Sequence, residues 1–249
     1  MSLRPLPTAP HRFPRLFEDQ RGHPLWSGVA GASTFRVVSP GHAAGLDLAH
    51  GDLLLVGARP VPGDLGVLVP RGHGRPMLAS DTVSGPRAEP GGGRVGEDRW
   101  LWAGRVLARH RSRRVGRSGS PWGVGEHAFE LVVELGVPVT PALMEGVRRH
   151  LPGAEQVGAT RVAGPAPWPL GACPLLAGGS LLEELEDAFG LRASVGIART
   201  FEAAVGACGL AAASSVLAVE PGAEVAFLEL APVDVTTRQL DLFVGPQVA

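Results

Sequence analysis

Lysine is absent from this chain, and a branch of chemistry goes with it. All 23 basic residues are arginine. Without a lysine amine there can be no Schiff base, no P-loop lysine and no serine–lysine nucleophilic dyad. Asparagine and tyrosine are missing too, and Ile197 is the sole isoleucine, a bias that points to a GC-rich genome. Cysteine is confined to Cys173 and Cys208, too few for a disulfide framework. No Cys-x-x-Cys or His-x-x-x-His pair offers zinc spacing, and the eight histidines stand singly, so neither a metal nor a cofactor is expected. No apolar run approaches the roughly 18–20 residues of a membrane span, and no membrane partner is expected. The opening stretch MSLRPLPTAPHRFPRLF lacks the apolar core of a secretory signal, which makes the cytoplasm the expected location.

What is present is globular in character, 45% hydrophobic and 19% charged over 249 residues, enough for two modest domains. The net charge of −1 hides a split. Residues 1–120 hold 17 arginines against 9 acids, a net of +8, while residues 121–249 hold 6 against 15, a net of −9. Such asymmetry favours two units, with the basic one facing phosphate.

Residues 1–33 are rich in proline and arginine and read as an extended arm. From Thr34, short apolar runs follow turn signals: Phe35-Arg36-Val37-Val38, then Leu53-Leu54-Leu55-Val56 after Gly51-Asp52, then Val67-Leu68-Val69 after Pro62-Gly63-Asp64. These are expected strands. Residues 82–99 read as a loop, Trp100 to Ala108 as another strand, and Arg109 to Gly123 as an arginine-dense linker. Beyond Glu126 strands alternate with helices: a strand at 128–135, a helix at 141–151 with Thr140 as N-cap and Pro141 at its first position, and a strand at 155–163. A helix at 180–189 ending at Gly190, a strand at 192–198, a helix at 201–210 and a strand at 225–230 complete the expectation. The expected class is therefore α+β, with boundaries at 1–33, 34–110, 111–127, 128–235 and 236–249.

Three clusters invite a functional reading. Arg105, Arg109, Arg111, Arg113, Arg114 and Arg117 fall within one short stretch. They suit either a grip on DNA backbone phosphates or a solvated linker, and no interleaved aromatics support base stacking. Ser39, His42, Asp47 and Asp52 lie close in sequence, but no nucleophile-elbow pattern surrounds Ser39. Glu183, Glu184, Glu186 and Asp187 point in several directions on a helix, which suits a solvated face better than a metal site. The last feature is the tail, Gln239-Leu240-Asp241-Leu242-Phe243. Two leucines and a phenylalanine near an end of the chain suit a docking peptide, whose few apolar anchors fill a partner's pockets; a short terminal strand is the other reading.

The tail resembles, at all five positions, the pentapeptide by which bacterial replication and repair proteins hold the β sliding clamp. Thr34-Phe35-Arg36-Val37, Gly51-Asp52-Leu53-Leu54-Leu55-Val56, Pro62-Gly63-Asp64 and Trp102-Ala103-Gly104-Arg105-Val106 together resemble the β-rich LexA/UmuD-type self-cleaving domain. Spacing within that resemblance puts His42 and Ala43 where the family has its nucleophilic serine and the following methionine. Its general-base lysine falls near Met77 to Ala79. Ala193-Ser194-Val195-Gly196-Ile197-Ala198 and Pro221-Gly222-Ala223-Glu224-Val225-Ala226-Phe227-Leu228, preceded by Met144 to Pro152, resemble the palm of Y-family translesion polymerases of the ImuB-like branch. There Thr160 and Arg161 stand where two metal-binding carboxylates belong, and an arginine would repel the ions that clamp a phosphate.

The resemblances thus imply a LexA/UmuD-like β domain followed by a truncated polymerase palm, both without their chemistry. They imply no enzyme but an accessory scaffold of bacterial DNA-damage response and translesion synthesis, which docks on the β sliding clamp and recruits an error-prone polymerase or other mutasome subunit. The alternative is a LexA/UmuD-like regulatory module of the SOS response acting through protein–protein pairing. UmuD-like domains commonly dimerise, so a homodimer through the N-terminal domain is a further implication.

Overall fold

The computed structural model describes residues 15–18, 31–39, 41–43, 46–89, 92–96, 98–112, 129–166 and 174–230. It is a mixed α/β protein with a twelve-stranded sheet, a separate two-stranded hairpin and, among the described residues, four helices. The N-terminal strands are β1 (Arg15–Glu18), β2 (Ser33–Ser39), the hairpin β3 (Gly41–Ala43) and β4 (Leu46–Leu48), β5 (Leu53–Gly57), β6 (Leu65–Pro70), β7 (Met77–Ser80), β8 (Arg87–Ala88) and β9 (Trp100–Ser112). The C-terminal elements are β10 (Glu130–Glu134), α1 (Pro141–His150), β11 (Glu155–Gln156), β12 (Arg161–Pro165), α2 (Pro174–Phe189), β13 (Ser194–Ala198), α3 (Phe201–Leu210), β14 (Ser215–Val219) and α4 (Glu224–Leu230).

Strand β9 organises the molecule. Its first half pairs with β6, its second half pairs with β14, and residues 105–110 pair with β5. Leu107 and Ala103 are extra residues against β5 and β6 respectively, bulges of the kind that bend a strand and sharpen its twist. The main path runs β1-β2-β5-β9-β14-β13-β10-β12-β11, so one sheet crosses the boundary expected at residue 110. Two apolar clusters flank it, and each draws on both halves. One joins Phe35, Leu54 and Val67 to Leu131, Val195 and the α1–α2 leucines. The other joins Leu53, Leu55 and Leu107 to Leu217, Ala204 and Phe227. The N-terminal strands and the C-terminal layers are thus built on common cores.

Local signals account for several elements. The Thr140 hydroxyl accepts from the Leu143 N–H at 3.3 Å, with Pro141 opening the helix and Arg148, Arg149 and His150 in its last turn, where the dipole favours cations. Thr200 caps α3 in the same way through Ala203.

Several expectations change. Strand β9 runs on through Ser112, into the stretch expected as linker, and the loop expected over 82–99 holds the short strand β8. The arm expected over 1–33 contributes β1, paired antiparallel with β2. The strand expected over 155–163 is a hairpin, with Glu155 opposite Ala163 and the chain turning at 158–160. The strand expected over 225–230 is helix α4: the Pro221-Gly222 turn precedes it, and Ala223 and Phe227 fall one helical turn apart, both fully buried. The alanine-rich run before it conceals β14, buried at every position and paired in parallel with β13. A short run buried on both faces carries no period to read.

Candidate functional site

The arginines of β9 are the first test of the sequence reading. A strand alternates its side chains, so Arg109 and Arg111 share a face. Both are buried, at 1% and 5% exposure. The Arg111 fork donates from Nε to Asp52 Oδ1 at 2.8 Å and from Nη2 to Oδ2 at 2.6 Å. Asp52 also accepts from the Ala49 N–H at 2.8 Å. Arg109 Nε donates to Glu220 Oε1 at 2.5 Å. Arg105 reaches Asp64 at 3.4 Å. Burial raises the Glu220 carboxyl above its usual range, and the neighbouring Arg109 works against that rise. The phosphate-gripping role expected of Arg109 and Arg111 is thereby corrected: their guanidinium groups are spent inside the protein, on carboxylates from both halves. Arg113, Arg114 and Arg117 lie outside the described residues.

The second candidate is the end of the sheet where the resemblance to a polymerase palm would require carboxylates. Arg161 of β12 stands opposite Glu134 of β10 and donates to its Oε2 from Nε and Nη2, at 3.2 and 2.8 Å. The same rung continues through Ser194, Ser215 and Ser112 on the adjoining strands. Thr160 sits in the preceding turn, its carbonyl accepting from the Leu135 N–H at 2.9 Å. This rung is an ion pair followed by three serine positions. Among the described residues no three His, Cys, Asp or Glu side chains come together as a metal-ligand set. Cys208 of α3 packs over the rung, with Ser194 Oγ 3.9 Å from its sulfur. Burial pushes the Cys208 thiol up to about 11. Because the thiolate is the nucleophile, Cys208 should resist iodoacetamide at about pH 8 and label only in denaturant, as peptide mass spectrometry would show. Labelling of the folded protein would place the thiol at the surface.

The remaining candidates disperse. Glu184 is held by Arg149 at 2.6 Å and His150 at 3.0 Å. The His150 hydrogen bond is the main cause lowering the Glu184 carboxyl, with Arg149 and His150 charges adding to it. Glu183, Glu184, Glu186 and Asp187 share α2 without forming a metal-ligand set. His42 and Ala43 lie in the β3–β4 hairpin, where His42 pairs with Asp47, and Met77 to Ala79 lie on β7. Asp52, once a conceivable partner for His42, is committed to Arg111. Gln239, Leu240, Asp241, Leu242 and Phe243 lie outside the described residues. Sequence reasoning met Asp52 only as a member of a Ser-His-Asp cluster, and missed Glu134 and Glu220. The signal for the first was the Gly-Asp turn, and for the set it was the spacing of arginines within an apolar strand pattern.

No protein-family model, curated protein or solved structure matches this chain.

Proposed function

We propose that this protein is a non-catalytic scaffold of bacterial DNA-damage tolerance that holds the β sliding clamp through Gln239-Leu240-Asp241-Leu242-Phe243. The observation that carries the reading is this pentapeptide, with its polar Gln239 and its apolar Leu242–Phe243 pair. The N-terminal strands take the part of a LexA/UmuD-like domain, and residues 128–235 that of a truncated palm. The Arg161–Glu134 pair supports a non-catalytic role, since it fills with a neutralised ion pair the place where the palm resemblance calls for metal-binding carboxylates. Bound to the clamp in the cytoplasm, the scaffold would raise the local concentration of an error-prone polymerase, to the mM range for a short flexible tether. Among the described residues no helix is long and apolar enough to cross a membrane.

In this reading Leu242 and Phe243 fill an apolar pocket on the clamp while Gln239 meets its polar rim. Burying two such side chains is worth roughly 3–6 kcal/mol before ordering costs, so these anchors by themselves support a weak Kd, between about tens of micromolar and millimolar. The test is capture by purified β clamp. Leu242→Ala combined with Phe243→Ala should abolish capture and leave the melting temperature nearly unchanged. Equal capture of wild type and double variant would end the clamp reading; a collapse in melting temperature would make the tail a buried strand.

A further inference from the structure

A cleft of about 720 Å³ opens where the ends of β1 and β2 face the tip of the β6–β7 hairpin, lined by Arg15, Phe17, Val38, Val69 and Arg75 among others. We infer that this cleft binds single-stranded nucleic acid, with Arg15 and Arg75 on phosphates and Phe17 stacked on a base.

The charge is one-sided. No carboxylate is among the described lining residues. The described salt bridges of this protein draw on Arg105, Arg109, Arg111, Arg149 and Arg161, and neither cleft arginine belongs to that set. Next to the lining residues, Arg71 follows Pro70 at the hairpin tip, and its N–H donates to the Arg99 carbonyl at 2.9 Å. All four are exposed. Among the described residues no carboxylate meets Arg15 or Arg75, and two like charges so placed suit the reception of an anion. A repeated anion such as a phosphate backbone matches two arginines spread along one cleft.

The aromatic supplies the second element. Phe17 is 64% exposed on the outermost strand of the sheet, two residues from Arg15 and opposite Arg36. Val38, 47% exposed, adds apolar surface beside it. A bare aromatic ring on a sheet face flanked by guanidinium groups is the arrangement on which unpaired bases stack. A duplex hides its base faces, so the strand must be single. Gly72 and Gly74 line the same cleft, and a backbone without side chains lets the ligand come close.

The test uses the full chain, with a fluorescein-labelled oligo-dT of about 15 nucleotides read by anisotropy, a length suited to one such groove. Arg15→Glu with Arg75→Glu should weaken binding at least tenfold. It should also flatten the dependence of log K on log salt by about 1.4, at about 0.7 for each single-strand phosphate no longer held. Phe17→Ala should cost about tenfold with the salt slope unchanged, and Phe17→Trp should restore affinity. Should the double variant prove unstable, Arg75→Gln alone should flatten the slope by about 0.7. Equal binding by wild type and variants overturns the inference, as does competition by duplex as strong as by single strand. Displacement of the oligonucleotide by a synthetic peptide of residues 236–249 more readily than by unlabelled oligo-dT would also overturn it, because the cleft would then be a peptide groove. Clamp capture should be the same in all cleft variants, so failure here and failure of the clamp reading are told apart in one set of proteins.

Discussion

Replacing Asp52 by Ala should destabilise the protein by about 3–5 kcal/mol, the cost of leaving a buried charge without its partner. Asp52 has no exposed surface. Its two oxygens take both arms of the Arg111 fork and the Ala49 N–H, while its backbone carbonyl accepts from Val37 at 2.8 Å. Removing the carboxylate takes both of these bonds from a guanidinium group that is itself only 5% exposed. Water can reach it only if the neighbouring strands part. In urea the midpoint should fall with the slope nearly unchanged. Substituting both partners, Asp52→Leu with Arg111→Met, should recover most of the loss, since a buried pair exchanged for apolar groups is often neutral. A loss under about 1 kcal/mol for the single variant would mean that Arg111 finds solvent or another acid.

The same experiment bears on domain structure. The apolar clusters mix residues from both sides of β9, and Arg109 ties β9 to Glu220 across 111 positions of sequence. One cooperative transition is therefore expected, in wild type and variant alike. Two separate transitions would instead describe halves that touch along β9 without sharing a core.

Elements with strong local punctuation were legible in the sequence. Thr140-Pro141 announced α1, and the Gly-Asp turn announced β5. What escaped depends on distant partners. An arginine in an apolar strand pattern looks alike whether water or Glu220 will meet it, and only the fold decides. The run that becomes β14 follows an alanine-rich stretch and is buried on both faces, so it shows neither strand nor helix period. Hairpin β11–β12 was hidden because 155–163 reads as one extended segment until β12 finds β10. Helix α4 could have been read from Pro221-Gly222 and the Ala223–Phe227 spacing, but a short apolar segment is ambiguous at that length. For the site, Arg161 was legible as a charge in the wrong place for a metal. Its partner Glu134 was not, because the pairing is made across two strands 27 positions apart.

The fold also gives Gly196 a physical task, and it yields the second large effect. In the sequence this glycine was one letter of a resemblance. In the structure it is where α3 lies on β13: an added Cβ would sit 2.1 Å from the Ala204 carbonyl oxygen and 2.2 Å from the Cys208 nitrogen. Both are backbone atoms of a helix, so no rotamer change relieves the clash. Gly196→Ala must lift α3 by about 1 Å or more to regain van der Waals separation, and the packing of Ala203, Ala204 and Ala207 goes with it. A loss near the upper end for overpacked cores is expected, about 3 kcal/mol. Gly209, in the same helix with nothing within 4 Å of its would-be Cβ, is the control. Gly209→Ala should stabilise by about 0.5–1 kcal/mol through helix propensity alone. The lifted helix should also open Cys208 to iodoacetamide in the folded protein, where wild type stays protected. If Gly196→Ala instead matches Gly209→Ala in stability and leaves Cys208 protected, the close approach of α3 to β13 is not what that position requires.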